Sequence, residues 1–469
     1  MNFKSISFYL SLFCFPISFL AFINILYASY FDYFLSIDTY FTTLVISLFL
    51  GISLLYYGKK HQKNINFIEQ LILIICTYVL TSILISIPFY LSNYQVTFLN
   101  SIFESISGLT GTGFSIFKDI KYLDPTLILW RSSSQWIGGL FFLFFLIIIF
   151  SNKSFNYKMT NLTYSGDNNF NSENNIKDNL LRIFIIYSIL SIVIMSLLNL
   201  SGVRLFNSLN LSMTLISGGG FLPTENLSKI ITTNLQKIIL IFAFIISLLN
   251  FFLLLNLFHK NTLAREHKED LFLTILIFIF SILIYFNNYN GLDIIISVTS
   301  SLANSGLTLI EDNNLSLYFL LITIIGGSLI SNTSGIKLTR FYILLKITSL
   351  EIIKLISPNS IINKTIFGSD KKISDDHVKI SFLIFISFFL SLFILSGLLV
   401  VDNIGFEKSF KLSILTLTNT VNSEMYNMQN LNFGNLLTSS KISLILFMII
   451  GKIELISILL IFKKILFKD

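Results

Sequence analysis

Residues 101–115 read SIFESISGLTGTGFS, a run of serine, threonine and glycine between two long apolar segments. Three more stretches share that make-up: SLNLSMTLISGGGFLPTE at 208–225, IIISVTSSLANSGLTLIED at 294–312 and SFKLSILTLTNTVNSE at 409–424. Hydroxyls and backbone carbonyls are neutral oxygen donors, suited to holding a cation rather than making bonds. Four rings of such oxygens can replace the hydration shell of a monovalent cation. Glycine, which the first three stretches carry at their tips, adopts φ > 0 at little cost and so lets successive carbonyls turn toward one axis. No other chemistry competes in the sequence. It holds no nucleophile–base constellation, and no nucleotide-binding or zinc or haem spacing. Cys14 and Cys76 sit in apolar runs and are expected as small core residues. His61, His259, His267 and His377 fall in polar connectors and are expected to be solvated. The chain is therefore expected not to be an enzyme, and to carry no covalently bound cofactor.

The elements that must position these stretches are membrane helices. Of the 469 residues 54% are hydrophobic and only 12% charged, with a mean hydropathy of +0.78. Spanning a bilayer takes about 20 apolar residues in a helix, and runs such as Leu127–Phe150, Ile238–Phe258 and Ile380–Val400 supply them. A β-barrel would alternate apolar and polar residues, and no segment does. The sequence predicts an all-α polytopic membrane protein. Residues 1–60 form a leading helix pair, whose first run is too long for a signal peptide. Four units follow: 61–155, 156–262, 263–350 and 378–469, with an inner linker at 351–377. Each unit reads long apolar segment, short semi-polar segment, long apolar segment. The short segments offer too few helical residues to span, so each must dip in and return on the same face. With both flanks spanning, the four units are parallel, and irregular backbone at membrane depth is tolerated only where protein buries it or where it lines water. The tips are thus expected to line one central pore.

Charge placement sets the orientation. Lys and Arg crowd alternate connectors, among them Lys59, Lys60 and Lys63, then Lys153 to Arg182, Lys260 to Lys268, and Lys354 to Lys379. Such residues mark the cytoplasmic side, which puts both termini inside. The net charge of +7 thereby reads as topology and contact with membrane lipid, not as nucleic-acid binding. Each short helix aims its negative C-terminal end at the membrane centre, favouring cations. Glu225, Glu311, Asp312 and Glu424 follow the tips and would form an acidic outer mouth. Asp119 contributes little beside Lys118 and Lys121. Trp130 is expected as an interface anchor, and the Asn- and Lys-rich stretch 151–179 as an inner linker.

Two features interrupt the apolar runs. Gly326–Arg340 crowds glycine, serine, Asn332 and Thr333 into what would be one helix, so a break is expected there. Lys337 there could alternatively mark the inner membrane edge. Lys452 and Glu454 lie within an apolar segment, where charge is costly and function is the default reading; a snorkelling lysine is the alternative.

FESISGLTGTG (103–113) followed by LWRSSSQWIGGL (129–140) resembles the Trk/Ktr/HKT superfamily of potassium transporters, and its TrkH-like membrane subunit in particular. TLISGGGF (214–221), SSLANSGL (300–307), IIGGSLISNTSGIKLTR (324–340) and MIIGKIELI (448–456) extend the resemblance over nearly the whole chain. It implies potassium as the transported substrate and a selectivity filter of one loop per repeat: Thr110, Gly111, Thr112 and Gly113; Gly218, Gly219 and Gly220; Asn304, Ser305 and Gly306; Asn419, Thr420 and Val421. It further implies a gate beneath the filter, from Gly326, Gly327, Ser331, Asn332, Thr333 and Gly335, with Lys337 and Arg340 as its basic part and Lys452 as an electrostatic barrier. A homodimer in the bacterial inner membrane and a cytosolic nucleotide-binding regulatory subunit, TrkA-like, are implied too. One position departs. Val421 stands where the family's glycine is expected, and because valine resists φ > 0 the fourth loop is expected to turn differently or to shift register toward Asn422. A sodium-permissive transporter, or a non-conducting scaffold, stays open at this point.

Overall fold

The computed structural model describes residues 3–59, 65–150, 176–251, 253–254, 268–286, 289–310, 313–357, 364–367 and 372–453. Residues 151–175 of the expected inner linker, Glu311, Asp312, Glu454, His61, His259 and His267 lie outside the described residues. Among the described residues there are fifteen α-helices and no strand, only a bridge between Thr365 and Lys372.

Helices α1 (Phe3–Tyr30) and α2 (Phe34–Gly58) form the leading hairpin. Their backbones approach closely at Gly58, where a side chain would meet the Phe8 backbone nitrogen at 2.6 Å. Small residues at such crossings are the usual device of helices packed in lipid. Phe13, Cys14 and Ile17 of α1 pack with Phe141 and Phe145, which joins the hairpin to the first unit.

The four units then appear in order. The first is α3 (Phe67–Leu91), the short α4 (Phe98–Thr110) and α5 (Pro125–Phe150). Next come α6 (Ile176–Leu200), short α7 (Leu205–Ile216) and α8 (Asn234–Leu248). The third unit holds α9 (Lys268–Tyr285), short α10 (Gly291–Leu302), and α11 (Ser316–Ile325) continued by α12 (Leu338–Ile356). Last are α13 (Asp375–Val401), short α14 (Phe406–Leu417) and α15 (Thr438–Ile453).

The short helices have 12 or 13 residues, about 18–20 Å at 1.5 Å per residue, well short of a bilayer. Five described helices are each long and apolar enough to cross a membrane. Large apolar side chains stand exposed on their outer faces, such as Phe49, Ile192 and Phe393, a surface suited to lipid. Hydroxyls inside the helices fold back onto their own carbonyls, as Thr77 does onto Leu73 at 2.7 Å, so they need no water.

Several expectations are corrected. Trp130 is no interface anchor: it is buried, and its Nε1 donates to the Ile85 carbonyl at 3.0 Å. His377 is not solvated; it lies buried in the first turn of α13, where its Nδ1 accepts from the Ser374 backbone N–H. Ile238–Phe258 is not one continuous helix either. Helix α8 stops at Leu248, and the chain turns at Leu249 and Asn250. The reason is tertiary: the Leu248 carbonyl accepts from the Ser328 N–H, and the Asn250 N–H donates to the Asp270 carboxylate at 2.9 Å.

Candidate functional site

Each short helix ends in a turn that repeats residue for residue. The bend is made by Gly111, Gly218, Asn304 and Asn419, all at positive φ. Asparagine tolerates this conformation better than other side chains. The amides that follow also repeat. Gly218, Asn304 and Asn419 donate three residues back, and Gly219, Ser305 and Thr420 five residues back. The fourth loop therefore keeps the register of the second and third, and no shift toward Asn422 occurs. Gly113 and Gly306 take positive φ again, but Gly220 and Val421 do not, so the valine is unstrained where it stands.

The tips meet in a ring. A side chain on Gly111 of loop 1 would lie 3.8 Å from the Gly219 Cα of loop 2. Ser305 Oγ of loop 3 donates to the Gly219 carbonyl at 2.6 Å. Ser423 Oγ of loop 4 donates to the Gly306 carbonyl at 2.5 Å, and Asn419 Nδ2 closes the circle onto Thr112 Oγ1 at 3.0 Å. Thr110, Thr112, Ser305, Asn419 and Thr420 are all buried. The predicted thirteen tip residues are thus brought together. Two equivalent glycines permit this convergence: a side chain on Gly138 of α5 would strike the Leu109 carbonyl, and one on Gly451 of α15 the Leu417 carbonyl.

Loop 1 carries a brace that sequence reasoning missed. Glu104 of α4, fully buried, accepts from Arg131 Nε at 2.8 Å, Ser115 Oγ at 3.0 Å and the Ile116 N–H at 2.8 Å. The Arg131 guanidinium also lies 4.1 Å from the Phe221 ring of loop 2. Gln135, one turn further along α5, accepts from the Phe221 N–H at 3.2 Å. The signal was present, since both charges fall inside apolar units where charge calls for a partner, but their pairing spans 27 residues.

On one side of the ring opens a vestibule of about 550 Å³. Glu225, Glu424, Lys118 and Val421 are among its lining residues. Glu225 is paired with Lys229, which holds its carboxyl below the usual range, while Glu424 accepts from Asn226 Nδ2 at 3.4 Å. The local acid is therefore partly neutralised.

The broken segment lies on the other side. After α11 ends at Ile325 the chain reverses at Gly326 and Gly335, both at positive φ. The Ser334 N–H donates to Asn304 Oδ1 at 3.1 Å and Ser334 Oγ to Asn419 Oδ1 at 2.9 Å, so the segment touches loops 3 and 4 directly. Asn332 Nδ2 donates to the Ile216 carbonyl at 2.8 Å. Thr333 Oγ1 accepts from the Gly327 N–H at 3.1 Å. Lys337 is no membrane-edge residue: it is buried and donates to Ser331 and Thr333. Arg340 lies buried just inside α12. Lys452 does not snorkel; its Nζ donates to the Asn332 carbonyl at 2.8 Å and lies 4.8 Å from the Phe142 ring. A second pair missed in the sequence ties both breaks to the start of α9. Glu269 accepts from the Leu329 N–H at 3.0 Å and from Thr339 Oγ1, while Asp270 takes the Asn250 N–H.

The fold and this ring of tips define a polytopic helical membrane protein with four short helices converging on one point. The chain belongs to the TrkH family of cation transport proteins, whose pattern matches residues 36–281. It is 26% identical over 461 residues to an uncharacterised cation transporter of Methanocaldococcus jannaschii, covering 92% of this chain and 90% of that one. It is also 26% identical over 459 residues to the Trk system potassium uptake protein TrkG of Escherichia coli, covering 91% of each. The crystal structure of the potassium transporter TrkH from Vibrio parahaemolyticus matches with a TM-score of 0.84 over 98% of both chains, at 20% identity.

Proposed function

We propose that the protein takes up potassium across the bacterial inner membrane through the ring of four tips. In this reading Thr110–Gly113, Gly218–Gly220, Asn304–Gly306 and Asn419–Val421 are the selectivity filter, and the vestibule with Glu225 and Glu424 faces outside. Dehydration takes place at the ring, where buried hydroxyls and carbonyls stand in for water. The observation that carries the reading is the closed circle of the four loops, bonded from Ser305 to Gly219, Ser423 to Gly306 and Asn419 to Thr112, with Gly111 against Gly219. Residues 326–337 are the gate: they lie beneath the ring, bonded to Asn304 and Asn419, with Lys452 as a fixed cation against them. The likeness to potassium uptake proteins named above supports the choice of ion. By the same resemblance the protein is a homodimer with each protomer carrying its own pathway, and a nucleotide-binding regulatory subunit docks on the basic cytoplasmic connectors.

The test is growth at low external potassium of a host lacking its own uptake systems. Rescue is expected. Absence of rescue with the protein inserted in the membrane would favour a non-conducting scaffold. A second reading, a transporter that also admits sodium, is favoured by Val421; paired rubidium and sodium fluxes separate it from the first.

A further inference from the structure

We infer that Val421 closes the mouth of the ring: its isopropyl group stands across the axis as an apolar plug, so that residue 421 sets the rate and the size range of cations admitted. This rests on the reading that the ring conducts. The placement comes from the three glycines at the same level of the other loops. A side chain built on Gly113 of loop 1 would lie 3.2 Å from Val421 Cγ2, and one on Gly306 of loop 3 would lie 3.1 Å from Cγ1. One on Gly220 of loop 2 would lie 2.5 Å from Val421 Cβ itself. Loops 3 and 1 are the neighbours of loop 4 in the circle, through Ser423 to Gly306 and Asn419 to Thr112. Loop 2 adjoins loop 1 at Gly111 and is bonded to loop 3 through Ser305, and therefore sits diagonally opposite. A side chain that reaches both neighbours and the diagonal loop at one level must cross the centre.

The chemistry of that position follows. Oxygen ligands hold a cation in the rings below, but a methyl group on the axis offers no coordination, and apolar constrictions close pores by shedding water. Valine is also stiff about χ1, with few positions to swing to. Its backbone is anchored on both sides: the preceding Thr420 N–H donates to the Leu415 carbonyl at 2.9 Å, and the Ser423 N–H donates to the Val421 carbonyl at 3.0 Å. The side chain is half-buried and lines the vestibule, so it is within reach from the mouth. Gly220 is its necessary complement, since any side chain there would collide with it.

The experiment compares the full chain with Val421→Gly, Val421→Ala and Val421→Leu in proteoliposomes, reading initial uptake of potassium, caesium and sodium. Uptake is expected to rise severalfold in the glycine and alanine variants, with the larger ions gaining most, and to be lost in the leucine variant. Potassium uptake in the wild type with unchanged rates and unchanged ion preference in the glycine and alanine variants would overturn the plug while leaving the filter reading intact. A chain that carries no cation in any form overturns both. Val421→Cys gives an arm that does not depend on packing. A small cationic thiol reagent added at the mouth side is expected to stop uptake, with potassium slowing the modification. Labelling of the introduced thiol without loss of uptake would count against the plug.

Discussion

Loops 1 and 4 share one turn geometry and are held by opposite means. Loop 1 is braced from behind by a charge pair, Glu104 with Arg131, which fixes Ser115 and Ile116 to the wall of α5. Loop 4 is held sideways by neutral bonds: Asn419 reaches Thr112, Ser334 and the Met448 carbonyl, and Ser423 reaches Gly306. The same backbone path can thus be kept either by a rigid private brace or by sharing with neighbours. The charge brace fixes the far end of loop 1, at Ser115 and Ile116, by bonds within its own unit. Shared bonds make loop 4 the place where a change is felt by the whole ring, and it is there that Val421 departs from glycine.

The strongest way to break this contrast is Arg131→Met. Glu104 would be left buried without its partner, which costs about 3–5 kcal/mol; thermal melting of the purified protein would read it. The double change Glu104→Gln with Arg131→Met should recover much of the loss, because no charge then remains buried. Next is Asn419→Ala, which leaves buried groups on loop 1 and on the broken segment short of a bond, at about 1–3 kcal/mol for each group so stranded. Unlike the first change, it should also alter rubidium against sodium flux, since the shared bonds shape the ring. Lys452→Met strands the Asn332 carbonyl but also removes a buried charge, so it is expected to cost less stability than the changes above and to raise resting rubidium leak, because the lysine's bond to that carbonyl restrains the broken segment. The smallest effect is at the mouth. Glu225→Gln should raise the half-saturating potassium concentration slightly. Lys229 lowers the folded value of Glu225 below its unfolded one. The charge is therefore present at neutral pH, persists through the ordinary carboxylate range, and is lost only as pH falls through that lowered value. Uptake measured across acidic pH should show wild type and Glu225→Gln converging only at its lower end.

How much of this was legible follows the range of the interactions. The four tips were readable because glycine, serine and threonine cluster at the ends of segments too short to span. The break at 326–337 was readable for the same local reason. The break at Leu249 was not: SLLNFFLLL reads as a helix, and only the Ser328 and Asp270 partners, far along the chain, end it. Glycine was sought at each bend, yet Asn304 and Asn419 make two of the four bends; of the two alternatives for Val421, the loop turns differently there than at Gly113 and Gly306, while the shift toward Asn422 does not occur. Arg131 was visible as a charge among apolar residues, but nothing local names Glu104 as its partner. Trp130 was misplaced for a similar reason, its indole being claimed by the Ile85 carbonyl of another helix, whereas His377 caps the start of its own helix at Ser374.

Asn332 ties the broken segment to two other units at once, by its side chain to the end of α7 and by its carbonyl to Lys452 of α15. Like a keystone gripped from both flanks, it cannot shift by degrees: releasing one grip leaves the other to pull it back. If, as proposed, residues 326–337 gate a conducting pathway, opening requires both grips to be released, and traces from single molecules are expected to step between two levels.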